Sequence, residues 1–356
     1  MTVYQQLQLN AAGSKKLLRE AKGFSAKARC FAVYLCKVLM TLLFCVAFVL
    51  VYTKLFGSEN SIVGVAVLLC ILVFRFADLG IHVPHAQLSM LLIFAIYAVG
   101  PRAANVLGPV PGFFINLFCI CLMLLLGCHD VIMSNHSTLV LNYLLLYGYD
   151  VTGEAFRMRL LALLLGALLT MAVYYHNHHE KTYRTGLREI MKAVDLHTER
   201  TRWQLAMSLT IASLLMVTAW FGLPRAVWAG IAAMSVMMPV KGEARRRALN
   251  RIPGNVIGGA LFFLLVSLLP EKFVSMLGLL GGFCLGFSAT YRWQSVFNAI
   301  GGMSVAVAML GLPSTIFFRI FNNALGALYA LAFGWLFNWL VDRFLGSRGR
   351  AEEAAS

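Results

Sequence analysis

Arg159-Leu-Leu-Ala-Leu-Leu-Leu-Gly166-Ala-Leu-Leu-Thr-Met-Ala-Val-Tyr-Tyr175 decides the fold. After its single arginine the segment is apolar on every side. A helix without a polar face is buried either in a large core or in lipid. Val38–Tyr52 has the same character, and comparable runs recur along the chain. Twelve of them are more than one soluble domain of 356 residues can bury. The composition agrees: 60% of residues are hydrophobic and 13% charged, about half the usual charge fraction. The reading is an all-α membrane protein of about twelve transmembrane helices, arranged as two parallel six-helix repeats.

The expected spans are 34–54, 60–77, 84–101, 109–127, 131–148 and 156–176, then 203–222, 225–240, 252–270, 273–290, 294–311 and 315–342. A helix needs about 20 apolar residues to cross a bilayer, so 225–240 is short. Turn residues mark the breaks: Gly57–Ser61, Pro101, Gly108-Pro-Val-Pro-Gly112, Gly222-Leu-Pro224, Pro253-Gly254 and Gly311-Leu-Pro313. No cleavable leader is read, so the first span is expected to be retained. The division is a basic cytoplasmic arm (1–33), a first membrane repeat (34–176), a cytoplasmic linker helix (177–202), a second repeat (203–343) and a cytoplasmic tail (344–356).

Charge sets the orientation. With the N-terminus inside, 23 of the 30 Lys and Arg fall on the cytoplasmic side and 7 on the other, a strong positive-inside bias. Both termini and the 241–251 loop are therefore expected in the cytoplasm of a bacterium, the chain lying in its inner membrane. The basic arm faces anionic membrane lipids. This placement accounts for the net charge of +15 without nucleic acid as a partner. The eight cysteines lie in or beside apolar runs with no Cys-x-x-Cys pair, as packing residues do, and no metal or cofactor is expected. Phosphate-loop, metalloprotease and nucleophile-elbow motifs are absent, so the chain is not read as an enzyme.

The halves repeat at an offset of roughly 160–165 residues. Phe56-Gly57 ends the first helix and Phe221-Gly222 the seventh. The Arg-x6-Gly spacing of Arg159–Gly166 recurs at Arg319–Gly326 and at Arg251–Gly258. An even number of spans per half makes the repeat parallel.

The doubled six-span unit, the Arg-x6-Gly openings at Arg159, Arg251 and Arg319, and the basic loop Pro239–Arg251 together resemble the fusaric acid resistance-like superfamily. That superfamily includes aromatic acid exporters and resembles aluminium-activated malate transporters. The resemblance spans nearly the whole chain and is clearer in its second half. His82-Val-Pro-His-Ala-Gln87 opens the third helix without the motif, and only a short linker stands where many members carry a large cytosolic domain. What the resemblance implies is a secondary transporter exporting small organic anions. A passive anion channel and a non-transporting scaffold are the other readings, and a homo-oligomer is compatible with any of them.

Arg159 and Arg319 open equivalent helices, and Arg251 shares their spacing. A guanidinium pairs with a carboxylate in bidentate fashion, so these three are candidate substrate-binding residues, with Asn322 and Asn323 one turn beyond Arg319. An arginine reaching to the headgroups is the competing reading. Asp78, His85, His129 and Asp130, near expected inner ends, are the candidate proton-coupling residues, with His82 and His136 beside them; solvated loop residues are the plainer alternative. His176-Asn-His178-His179 reads as interfacial histidines. Gly278, Gly282 and Gly286 are spaced to let one neighbouring helix approach a single face.

Overall fold

The computed structural model describes residues 2–239 and 242–355, with side chains up to Phe344. Helix covers 82% of the chain, and no strand occurs among the described residues. In order the helices are α1 (Val3–Gln8), α2 (Ala11–Glu20), α3 (Phe24–Phe56), α4 (Ser61–Phe74), α5 (Val83–Val106), α6 (Pro109–Gly127), α7 (His136–Gly148), α8 (Gly153–His178), α9 (Leu187–Lys192) and α10 (Glu199–Trp220). There follow α11 (Val227–Val236), α12 (Glu243–Leu268), α13 (Glu271–Val274), α14 (Leu277–Gly286), α15 (Tyr291–Leu310) and α16 (Leu312–Ala355). Eight of them, α3, α5, α6, α8, α10, α12, α15 and α16, are long and apolar enough to cross a membrane.

Each expected span holds a helix, but α4, α7, α11 and α14 have only 14, 13, 10 and 10 residues. Gly57 and Gly222 take φ of 88° and 59°, a left-handed conformation that glycine adopts without steric cost. That is why Phe-Gly closes both α3 and α10.

Several expectations are corrected. Pro101 does not end its helix: α5 carries it internally and continues to Val106. The 273–290 span is broken, with α13 and α14 separated at Ser275-Met276. Helix α3 begins at Phe24, well inside the expected arm. Lys37 on α3 donates to Leu9 O at 2.6 Å and to Ser14 Oγ at 3.1 Å, tying the α1–α2 segment down. Helix α16 continues through the expected tail to Ala355. The linker helix over 177–202 is reduced to the six residues of α9. Residues 177–178 belong to α8 and 199–202 to α10; the rest turn, and side chains and carbonyls among them bond to loops of the membrane helices.

Two compact units divide the chain, one of residues 1–47 and 246–324, the other of 48–245 and 325–356. In the first, Phe262 of α12, Leu277 of α14 and Ala299, Ile300 and Met303 of α15 form one buried cluster. In the second, α6 packs against α5 and α10, α8 against α4 and α5, and α7 against α11. Between helices in lipid such contacts gain close van der Waals fit rather than water exclusion, which favours small residues. Gly166 of α8 fits this need, since a Cβ there would overlap Val67 of α4.

The glycine strip of α14 does not serve a single neighbour. A Cβ at Gly278 would meet Ser304 of α15 at 2.8 Å, whereas Gly282 and Gly286 face Leu42 and Val38 of α3. Along α14 it is Gly281 whose added Cβ would meet a neighbour's backbone, 3.0 Å from Phe297 O. Residues four apart on a helix drift by about 40° per step, enough over two steps to turn the strip from one neighbour to another.

Candidate functional site

In the first unit α12, α15 and α16 enclose two arginines. Arg251 is 8% exposed and Arg319 6%. The sequence places Arg251 at the end of the basic loop, opening its helix; it lies instead two turns inside α12, which begins at Glu243, where Asn323 and Tyr291 meet it. Its Nε donates to Asn323 Oδ1 at 3.0 Å and its Nη1 to Tyr291 Oη at 3.2 Å. Asn323 donates onward to Arg319 O at 2.7 Å, and Arg319 Nη2 donates to Asn298 O at 3.1 Å. Asn255 closes the α12 side by donating to Arg251 O. Asn322 is fully buried beside Asn323.

The small residues around this cluster make room for its charge. A Cβ on Gly302 of α15 would stand 2.8 Å from Arg319 Nη1, so the guanidinium lies against bare helix backbone. The unit's only carboxylates are Glu20 and Glu271, against thirteen Lys and Arg. Both carboxylates are exposed. The partners of Arg251 are thus neutral, and no ion pair involving it occurs among the described residues. A buried cation compensated only by neutral dipoles retains a strong attraction for an anion.

Arg159, in the second unit, is 3% exposed. Its Nε donates to Asn60 Oδ1 at 3.1 Å, Nη1 to Tyr149 O at 2.7 Å and Nη2 to Glu59 O at 3.3 Å. Asn60 in turn donates to Phe56 O and Ala155 O. The guanidinium therefore ties together the α3–α4 and α7–α8 turns.

At the opposite end of the second unit the loops after α4 and α6 meet the linker around Asp78. This carboxylate is 1% exposed. Its Oδ1 accepts from Tyr174 Oη at 2.7 Å and Gly80 N at 3.0 Å. Its Oδ2 accepts from Tyr183 Oη at 2.7 Å and Lys181 Nζ at 3.1 Å. Burial alone raises the pKa of Asp78, but the bonds from Tyr174, Tyr183, Gly80 N–H and Lys181 outweigh it and hold the group at about 2. Its backbone oxygen accepts from Asn135, and His82 N donates to Thr185 O of the linker at 2.9 Å.

Of the other titratable candidates, half-buried His129 and Asp130 flank Gly80. Arg200 donates to His129 Nδ1 at 3.0 Å, and burial followed by the Arg200 charge lowers the histidine's pKa. His85 is exposed and accepts weakly from Leu187 N at 3.4 Å. Asp78, His129 and Asp130 thus share one loop cluster, while His85 meets the linker at Gly186 and Leu187. Tyr291, Asn298, Asn60, Tyr174, Lys181 and Tyr183 were not singled out from sequence. The signal that pointed to the first of these networks is Asn322 and Asn323 one turn beyond Arg319, since Asn323 joins Arg251 to Arg319.

Cavities of about 450, 170 and 310 Å³ lie in the second unit. The first, between Trp203, Met237, Gly334, Trp335 and Asn338, has the Arg202–Asp342 ion pair in its lining.

Residues 205–333, from α10 into α16, match the family model for fusaric acid resistance protein-like sequences. Comparison with curated proteins and with solved structures finds no match.

Proposed function

We propose that this chain is a secondary transporter that exports small organic anions, aromatic carboxylates among them, across the bacterial cytoplasmic membrane. The observation that carries this reading is the Arg251–Asn323–Arg319 cluster: two buried guanidiniums in a membrane unit whose only carboxylates are exposed. Anion recognition is what such a cluster can supply at a cost no structural role of Arg251 demands. Arg319, Asn322, Asn323 and Arg251 form the proposed binding set. The matched segment supports the substrate class, because fusaric acid is itself an aromatic ring bearing a carboxyl group.

The same reading makes the twelve helices two parallel repeats. Phe56-Gly57 and Phe221-Gly222 support this by ending α3 and α10 with the same left-handed glycine. Both termini lie inside by the charge bias. A periplasmic phosphatase reporter fused after Arg350 is then inactive; full activity reverses the orientation.

Flux of fusaric acid into and out of proteoliposomes, with and without a pH gradient, tests the function. Concentrative flux driven by the gradient supports export. Purely downhill flux makes the chain a channel, and none makes it a scaffold. Arg319 gives the sharper result. Lysine keeps the charge and loses the planar fork; glutamine loses both. The expected order is wild type, then Arg319→Lys, then Arg319→Gln. The glutamine variant falls by about ten-fold or more, since a bond to a charged group contributes roughly 1.5–3 kcal/mol. Lysine equal to wild type at matched membrane levels leaves Arg319 as an interfacial anchor.

A further inference from the structure

His178, at the end of α8, is 3% exposed. Its Nε2 is 3.0 Å from Phe74 O. A carbonyl can only accept, so Nε2 carries the proton. Nδ1 has no hydrogen-bond partner among the described residues and stands 3.6 Å from Asp78 Oδ2. In the neutral ring this leaves a lone pair facing a carboxylate. A proton on Nδ1 converts that repulsion into a charge-assisted contact.

Asp78 already has a counter-cation, Lys181 of the linker, whose side chain is 44% exposed and easily rehydrated. We propose that Asp78 and His178 form a proton-binding site in which His178⁺ and Lys181⁺ compete for one carboxylate, so that protonation of His178 releases the linker strap around Lys181–Thr198. One buried negative charge balances one cation, and the lysine is the one with water to return to.

Tyr174 packs against the His178 ring in a tilted arrangement, centroids 4.5 Å apart, and bonds to Asp78 Oδ1. Tyr183 shares Oδ2. His129 and Asp130 lie across Gly80. The pKa of Asp78 is depressed from 3.8 to about 2, so its stabilising contribution is present above the ordinary value and is lost only as pH falls towards 2. Between pH 5 and 8 it is a fixed charge, facing Nδ1 of His178.

Hydrogen–deuterium exchange of the full chain in lipid nanodiscs tests this, read on peptides covering 181–198 after correction for intrinsic exchange. Wild-type protection should fall at least five-fold from pH 7.5 to 5.5, while peptides of α6 and α10 stay unchanged. His178→Gln keeps a donor for Phe74 O but cannot titrate, and its strap should stay protected at both pH values. Lys181→Gln should expose the strap at both. A wild-type strap indifferent to pH, or the same pH response in His178→Gln, overturns the proposal. The latter result would assign the response to His85 or His129, which also touch the linker or its flank. If His178→Gln does not fold, Lys181→Gln decides: a strap still protected at pH 7.5 overturns it as well.

Discussion

Arg159–Gly166 and Arg251–Gly258 carry one sequence signature in two different settings. Both arginines give Nε to an asparagine Oδ1, at 3.1 and 3.0 Å. Beyond that bond they part. Arg159 spends its two terminal nitrogens on the backbone carbonyls of Tyr149 and Glu59, in turns on either side of the buried Asn60 contact. Arg251 meets the side-chain hydroxyl of Tyr291 and, among the described residues, no backbone carbonyl. The first arrangement fastens loops; the second leaves charge uncommitted. Spacing alone does not distinguish an anchor from a binding group, because the distinction lies in what the far end of the side chain meets.

The largest effect on stability should follow from Arg159→Ala. Three acceptors lose a charged donor, and each buried acceptor left bare costs about 1–3 kcal/mol. A total of roughly 3–5 kcal/mol should remove most folded protein from detergent extracts. Normal yield and an unchanged melting temperature would dissolve the contrast between the two arginines.

The glycines come next. A Cβ at Gly258 meets both Ala299 Cβ and Val296 O at 2.7 Å. Backbone of a packed helix cannot give way as a side chain can, so Gly258→Ala should cost about 1–3 kcal/mol of overpacking. Gly166→Ala meets the side chains of Val67 and Phe94, which can shift rotamer, and should cost less. Thermal melts of the pair in one detergent rank them; the reverse order would mean that α12 and α15 separate more readily than α4 and α8.

Arg251→Gln should shift the melting temperature less than Arg159→Ala, because among the described residues Asn323 Oδ1 and Tyr291 Oη are the partners lost. Its transport should nevertheless fall about ten-fold. A stability loss matching that of Arg159→Ala, with transport per folded molecule intact, would make Arg251 a second anchor.

These contrasts also show where the sequence was legible. Continuous apolar runs and glycine punctuation located the eight helices long and apolar enough to cross a membrane, because both are local properties. The linker was misread because Arg184, Arg188 and Lys192 recur at four-residue spacing, as on a helix face. Lys181 and Tyr183 are instead drawn to Asp78, over 100 positions away. Arg251 reads as the residue that ends the basic loop and opens a helix, because the residues that hold it inside α12, Tyr291 and Asn323, lie 40 and 72 positions downstream. His178 was hidden among neighbouring histidines, of which it alone reaches the Asp78 carboxylate.

The smallest expected effect concerns Gly282, which sequence spacing made the centre of a close-packed strip. A Cβ there meets only Leu42 Cδ1, at 3.6 Å, an ordinary van der Waals separation. Glycine within a helix costs about 0.8–1.0 kcal/mol relative to alanine, so Gly282→Ala should leave the melting temperature unchanged or raise it slightly. Gly281→Ala, one position earlier, should lower it, because its Cβ would stand 3.0 Å from Phe297 O and 3.2 Å from Gly301 N. Both variants change one hydrogen to a methyl on the same ten-residue helix. The difference between them therefore reports what each face touches, with helix propensity cancelled. Equal destabilisation by the two would mean that α14 is clasped equally on both faces and that Leu42 of α3 has no room to yield.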